Sequence, residues 1–365
     1  MLFSINREKL LNVLQLAFGA IDRKHNMPIL SNFYIQVYDD ELIIIGTDLE
    51  VELLGKTTLS GYKENGHTTV PAKKLLDICK SLSNNAEIKI ELVNERLIIH
   101  SERSRFSLST LTPEEFPKIS NWHADIEFSL SKSVLKSLIY ATQFSMAHQD
   151  VRRHFNGMLF QIDNSELRTV TTDGHRLSMS VQKIQGEMSY RHVIVPRKAV
   201  VEMSRLLDND LSVTVLMNKS SIRLSTEYTV FTSKLIEGKF PDYNRVFPKD
   251  GDKIVIANRK ELKQAFSRVS ILSNEKFRGV RLKISKNSFT ISANNPEQEE
   301  AVVIIDVDYD DDALEIGFNV SYVLDVLNTL KGDFVKMTFG GPISSVLFED
   351  VKDNTALYVI MPMRL

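Results

Sequence analysis

The 365 residues carry 45 Lys and Arg against 47 Asp and Glu, a net charge of −2, with 43% hydrophobic and 25% charged residues. That length and mix describe two or three globular domains, and the single cysteine, Cys79, excludes an intrachain disulfide. No Cys/His set has structural-zinc spacing, and no apolar run reaches the roughly 18 residues of a membrane span. The charged opening, with Arg7, Glu8 and Lys9 in MLFSINREKLL, fits no signal peptide, so the expected compartment is the cytoplasm.

In chain order, a short strand FSIN precedes a predicted helix over 6–18, whose Leu10, Leu11 and Leu14 share one face. FYIQV and LIIIG flank the turn residues DDE, and Val70-Pro71 opens a second helix over 71–82, since proline suits a first helical turn. FSLSTL at 106–111 is an alternating strand, followed by a Phe116-Pro117 turn and a linker near 121–127. The layout then begins again. FSLS precedes a helix over 131–145 with Val134, Leu135, Leu138 and Ile139 on one face. GMLFQI and LRTVT flank DNSE, Val195-Pro196 opens a helix over 196–208, and FTSKLI at 231–236 leads to Phe240-Pro241 and a linker near 247–253. A third pass has IVIA, a helix over 258–270 with Leu262, Ala265, Phe266 and Val269 inward, and VRLKI and SFTIS about SKN. It ends with a helix over 319–331 and a closing strand YVIMPM at 358–363.

The recurrence has a register of 125 residues: Phe3-Ser4 and Phe128-Ser129, Glu41-Leu42 and Glu166-Leu167, Thr47-Asp48 and Thr172-Asp173, His67 and His192, Val70-Pro71 and Val195-Pro196. Val320 marks the same position in a fainter third copy. Three copies, expected at 1–122, 123–249 and 250–365, each with two helices and about eight strands, predict an α+β fold with helices on one sheet face.

The six predicted helices together carry +9, leaving −11 for the rest of the chain. If equivalent helices share a face, that face is basic and attracts a phosphate backbone without reading sequence. Ordinary solvated helix faces are the plainer reading for any one helix. An enzyme is the main rival, but Asp173, His175, His148, Asp150 and His154 match no metal or nucleophile pattern. Gly55-Lys56-Thr57 lacks the glycine a phosphate loop needs at position 50, which is Glu50, and VELLGKTTL reads as strand. A non-catalytic three-repeat scaffold without DNA linkage is the other alternative; it leaves the basic helices unexplained.

Long stretches then identify a family. GTDLE at 46–50, RFSLSTL at 105–111, ATQFSMAHQDVR at 141–152, TTDGHRL at 171–177, VIVPRK at 193–198 and FTSKL at 231–235 resemble the bacterial DNA polymerase III β subunits, the β sliding clamps. So do ILSNEKFRGVRL at 271–282, ANNPEQEEA at 293–301, GFNVSYVLDVLN at 317–328 and the terminal MPMRL. The resemblance implies three DNA-clamp domains per chain, paired head to tail as a homodimer in a six-domain ring around duplex DNA. It implies no catalytic residue, metal or cofactor, and an external ATP-driven clamp loader to open the ring.

Three surfaces follow from the resemblance. Lys24, Lys73, Lys80, Lys132, Lys136, Gln149, Arg152, Arg153, Arg197, Lys198, Arg205 and Lys263 are its candidate DNA contacts. RRHF at 152–155 departs from relatives, which often carry an aromatic after the first Arg. The dimer interface would set Phe106 and Leu108 against the partner's Ile271 and Leu272, and Lys74, Arg96, Arg103 and Arg105 against Glu297, Glu299 and Glu300. A peptide pocket would be lined by Thr172, Gly174, His175, Arg176, Leu177, Pro241, Arg245, Val246, Val320, Tyr322, Ile343, Ser345, Val359, Met361, Pro362 and Met363. Short linear peptides of the replicative polymerase, the clamp loader and DNA repair proteins would dock there, and methionines suit a surface that accepts varied ligands. Asp48-Leu49-Glu50 stands where the second copy has Asp173-Gly174-His175, so the pocket is not expected to repeat.

Overall fold

The computed structural model describes residues 1–21, 27–118, 122–208, 211–248 and 251–364. The first copy runs β1 (Leu2–Asn6), α1 (Arg7–Phe18), β2 (Asn32–Tyr38), β3 (Glu41–Thr47), β4 (Val51–Thr58), β5 (Gly66–Pro71), α2 (Ala72–Ser81), β6 (Glu87–Val93), β7 (Arg96–Ser101) and β8 (Ser104–Ser109). The second runs β9 (Ile126–Ser131), α3 (Lys132–Thr142), β10 (Gly157–Thr172), β11 (Arg176–Pro196), α4 (Arg197–Leu206), β12 (Ser212–Met217), β13 (Ser221–Ser225) and β14 (Thr229–Lys234). The third runs β15 (Lys253–Asn258), α5 (Arg259–Ser270), β16 (Gly279–Ser285), β17 (Ser288–Asn294), β18 (Glu300–Asp306), β19 (Leu314–Asn319), α6 (Val320–Thr329), β20 (Phe334–Phe339), β21 (Val346–Asp350) and β22 (Ala356–Ile360).

Local chemistry sets these starts and stops. α1, α5 and α6 each begin at an asparagine that ends a strand: the side chains of Asn6, Asn258 and Asn319 accept from Glu8 N, from Lys260 N and Glu261 N, and from Ser321 N. Such a cap contributes about 1 kcal/mol over alanine. α2 follows Pro71 and buries Ala72, Leu75, Leu76 and Cys79, one apolar stripe. Three expectations shift. The helix expected over 131–145 ends at Thr142, and Gln143–Ser145 tighten into a 3-10 turn. The turn expected at DNSE lies inside β10, whose register with β11 slips on either side of Asn164. The terminal strand stops at Ile360, before Met361 and Pro362, because proline has no N–H for a ladder.

The chain folds as two compact units, Met1–Lys132 with Val201–Leu235, and Ser133–Val200 with Ile236–Leu365. The division falls inside the second copy because strands of neighbouring copies join. In the first unit β14 pairs with β4 and builds one sheet, β5-β2-β3-β4-β14-β13-β12-β9, beside a second, β1-β6-β7-β8. In the other unit β22 pairs with β11 and builds β10-β11-β22-β21-β20-β15, beside β18-β17-β16-β19. All the pairings are antiparallel, which hairpin connections allow.

The core of the first copy gathers Phe3, Leu10, Leu14, Phe33, Leu75, Cys79 and Ile99 under α1 and α2. That of the third gathers Leu262, Phe266, Phe289, Phe318, Val323, Leu327 and Phe339 under α5 and α6. One packing problem has two solutions. A Cβ on Gly46 would stand 2.2 Å from the Ala17 carbonyl, so only glycine lets α1 lie this close to β3. In the second copy, 125 residues on, the Thr171 hydroxyl donates to the Thr142 carbonyl instead.

Candidate DNA-facing, ligand-binding and edge surfaces

The second unit contains an apolar cluster that spans three neighbouring strands. Leu177 of β11 lies opposite Val359 of β22, and Val359 opposite Leu347 of β21, so the three form a lateral row on one sheet face. They pack with Leu159, Val170, Ile194, Phe240 and Tyr243, and with the partly buried Val246 and Phe247 that follow the Phe240-Pro241 turn. Tyr243 is held by its hydroxyl, which donates to Gln161 Oε1 at 3.1 Å.

The rim is built by a hydroxyl, a carboxylate and a guanidinium that hold one another and the backbone. Asp173 Oδ1 accepts from His175 N at 2.9 Å and Arg176 N at 3.0 Å, while Thr172 Oγ1 accepts from Gly174 N and donates to the Arg176 carbonyl. Gly174 sits at φ +90, where a side chain is strained, and a Cβ there would stand 3.2 Å from the Arg152 guanidinium. Arg176 reaches Asp173 Oδ2 at 3.0 Å, Asp325 Oδ2 at 2.5 Å and the Phe144 carbonyl at 2.7 Å. Its guanidinium also lies 4.4 Å from the Tyr322 ring centroid. A planar fork with several fixed acceptors is rigid, which a lysine could not reproduce. Burial pushes the Tyr322 hydroxyl above its ordinary pKa.

Met361 N donates to the His175 carbonyl at 2.9 Å and Met363 N to the Gly317 carbonyl at 2.8 Å, which anchors the C-terminal residues to this rim. The Met361 side chain and Ile343 remain exposed, Ile343 at 83%. Pro241 and Arg245 are exposed too, with Arg245 paired to Asp242 at 2.9 Å; Ser345, Pro362 and Met363 are half-buried. Val320, Leu177 and Val359 are all buried, at 1%, 2% and 0% exposure. Val320 lies in the core of the third copy, because α6 turns its Val320, Val323 and Val326 stripe inward, and Leu177 and Val359 lie in the apolar cluster across β11 and β22. Leu159, Val170, Phe240, Tyr243 and Leu347 were not anticipated as members of this cluster; the Phe-Pro turn and the strand alternation were the available signals.

The expected DNA-binding set divides by what the cations already hold. Lys73 and Lys80 are exposed on α2, and Gln149 and Arg153 are exposed on the segment before β10. Lys132, Lys136, Lys198 and Lys263 are half-buried, and Lys24 lies outside the described residues. Arg197 Nη1 donates to the Met146 carbonyl at 2.9 Å and Arg205 pairs with Glu202 at 2.6 Å. Arg152 pairs with Asp150 at 2.8 Å and rests 4.3 Å from the Phe155 ring, and that guanidinium holds the Asp150 carboxyl down at about 2. Two further helix cations serve as caps. Arg7 donates to the Cys79 and Lys80 carbonyls at the end of α2, and Arg259 to the Leu327 and Gly332 carbonyls at the end of α6. Cations at helix C-termini satisfy free carbonyls and the dipole.

The expected interface residues lie on or near two sheet edges that are unpaired among the described residues. β8 pairs only with β7; its Phe106 and Leu108 are partly buried on the first core, and Arg96, Arg103 and Arg105 are exposed beside it. Lys74 is exposed on α2. β18 pairs only with β17, and turns Val302 and Ile304 outward at 51% and 64% exposure, two residues the sequence did not single out. Glu297, Glu299 and Glu300 precede or open it, with Glu299 braced by Asn295; Ile271 is 77% exposed and Leu272 half-buried at the end of α5. Unpaired edges with outward apolar residues invite another strand.

Repeated α+β copies welded edge to edge through shared sheets are the architecture of a DNA clamp. Family models for the N-terminal, central and C-terminal domains of the DNA polymerase III beta subunit match residues 1–120, 129–242 and 244–364. The beta sliding clamp of Escherichia coli is 51% identical with both chains covered end to end, and that of Salmonella typhimurium 50%. The crystal structure of the DNA polymerase III subunit beta from Pseudomonas aeruginosa superposes with a TM-score of 0.98 at 46% identity over all of both chains. The chain belongs to the DNA polymerase III beta-subunit family, the beta sliding clamps. Its function is that of a DNA sliding clamp, which works with DNA and the replicative polymerase. Among the described residues no helix is long and apolar enough to cross a membrane.

Proposed function

We propose that the chain acts as a non-catalytic homodimeric ring in the cytoplasm, its three clamp domains at 1–122, 123–249 and 250–365. Duplex DNA passes through it without sequence readout. The exposed Lys73 and Lys80 of α2, with Gln149 and Arg153, supply loose phosphate attraction of the salt-sensitive kind that permits sliding. The basic edge β8 meets the acidic edge β18 of a second copy, a heterologous contact that closes a ring at the right angle.

The apolar row Leu177–Val359–Leu347 with its fixed Arg176 rim is the observation that carries the tethering role. Short linear peptides of the polymerase, the clamp loader and repair proteins would lay apolar side chains on that floor. One Pseudomonas aeruginosa relative has been solved bound to griselimycin, and we place the corresponding ligand site of this chain at the same cleft. The test is retention after loading by a clamp loader, on a nicked circle and on the same DNA linearised, at moderate salt. Stable retention on the circle with rapid loss from the ends is expected. Equal retention on both means direct binding, and the ring reading fails.

A further inference from the structure

The cleft floor has a counterpart one copy earlier. Tyr34, Ile45, Glu52, Leu54 and Thr69 precede Leu159, Val170, Leu177, Met179 and Ile194 by 125 residues. In the first unit Glu52 of β4 lies opposite Thr232 of β14, and Thr232 opposite Arg223 of β13. The lateral row that reads Leu177–Val359–Leu347 in the cleft therefore reads Glu52–Thr232–Arg223 here. Glu52 and Thr232 are buried, and Arg223 donates from Nε to Thr232 Oγ1 at 3.0 Å.

The Arg223 end of this row is covered by the chain itself. The ring of Trp122, the only tryptophan, lies 4.6 Å from the Arg223 guanidinium carbon. Burial disfavours the charged form of Arg223 and the nearby Glu52 carboxylate favours it, so the guanidinium is both desolvated and compensated. A cation with little water on its face attracts an aromatic ring more strongly than an exposed one. The segment carrying Trp122 is tied down beyond it: Asn218 Nδ2 donates to the His123 carbonyl at 3.1 Å, and Asp125 N to the Met217 carbonyl at 2.8 Å. The indole Nε1 is shut away from solvent with no acceptor among the described residues, a standing cost that the stack and its burial must outweigh. Elsewhere on the first unit's sheet Phe116 packs on Tyr34 at 5.5 Å and Lys118 Nζ stands 3.6 Å over the Tyr34 ring.

We propose that the first seam is a second ligand groove kept closed by its own occupant, in which Trp122 is the ligand and Arg223 the residue that selects a planar aromatic ring. The Glu52–Thr232–Arg223 row makes it a poor floor for the aliphatic side chains that suit Leu177–Val359–Leu347. The chain thus offers one peptide cleft rather than two. Only that last consequence rests on the peptide reading of the second seam; the aromatic site stands on the first unit alone.

The full-length Trp122→Gly chain has no tryptophan, so the emission of added indole reports its binding directly. One saturable indole site per chain is expected in Trp122→Gly. None is expected in the unsubstituted chain or in Trp122→Gly with Arg223→Leu, and cyclohexylmethanol should not compete. A folded Trp122→Gly chain without saturable binding overturns the proposal, as does binding that survives Arg223→Leu. Should Trp122→Gly not fold, Arg223→Leu alone is read by acrylamide quenching of Trp122, which should rise about two- to fivefold. Unchanged quenching overturns the proposal equally. Peptide titration of the unsubstituted chain separates the two readings: one peptide per chain is expected, two would refute the closed groove, and none would remove the cleft reading while leaving the indole result to stand.

Discussion

Arg176 Nη1 lies 2.5 Å from Asp325 Oδ2, and this contact joins β11 of the second copy to α6 of the third. The same guanidinium holds Asp173 and the Phe144 carbonyl. Arg176→Ala strands three acceptors together. Because Asp325 is 41% exposed, solvent takes over part of its share, and a loss of about 1–3 kcal/mol is expected. Calorimetry should show the lowered melting temperature, and a client-type peptide should bind about tenfold more weakly. Arg176→Lys should rescue neither, since one ammonium cannot span the three acceptors.

Met361 and Met363 project from a backbone fixed to His175 and Gly317. Met361→Glu with Met363→Glu should abolish peptide binding in a fluorescence anisotropy titration while the elution volume of the oligomer stays the same. Loss of the oligomer instead would assign both side chains to structure.

The two free edges give a prediction about assembly. Leu108→Arg on β8, or Ile304→Arg on β18, puts a charge where a second strand would have to lie flat. Sedimentation should show each variant as a folded monomer with unchanged circular dichroism. A variant that remains dimeric would move the interface elsewhere.

Cys79 is buried in the first core, and burial pushes its thiol up to about 11. An acid whose folded pKa is raised contributes stability below its unfolded value, ordinarily about 8.5, and loses it as pH climbs toward the folded value. Stability from this group should therefore be intact at pH 7 and decline above about pH 8.5. At pH 8 a thiol reagent should react about 100-fold more slowly with the native chain than with the chain in urea. Equal rates would mean the site opens readily.

Lys73 and Lys80 stand exposed on α2. Replacing both by Gln should flatten the plot of log affinity for duplex DNA against log salt by about two units of slope. The loss should be the same for unrelated sequences. A loss that depends on sequence would contradict backbone-only contact.

Much of this was legible in the chain. The Leu10, Leu11, Leu14 and Leu262, Ala265, Phe266, Val269 stripes place α1 and α5, and the asparagine caps agree with the stripes at the helix starts. Arg7 and Arg259 show where charge counting stops being informative. Both add to a basic helix total, yet both are spent on carbonyls at the end of the second helix in their copy. Val320 shows the same limit for apolar residues: its type suits a cleft or a core equally, and only the orientation of α6 puts it inside.

The sequence by itself determined the repeat of 125 residues, the α+β grammar of each copy and the family, because periodicity and local capping are read from near neighbours in the chain. Tertiary structure decided which strands meet across copies. Leu177, Val359 and Leu347 become one floor, and Glu52, Thr232 and Arg223 one charged row, only when β11 meets β22 and β4 meets β14. Those partners are some 180 residues apart, since a cross-strand row is set by lateral pairing rather than by spacing along the chain.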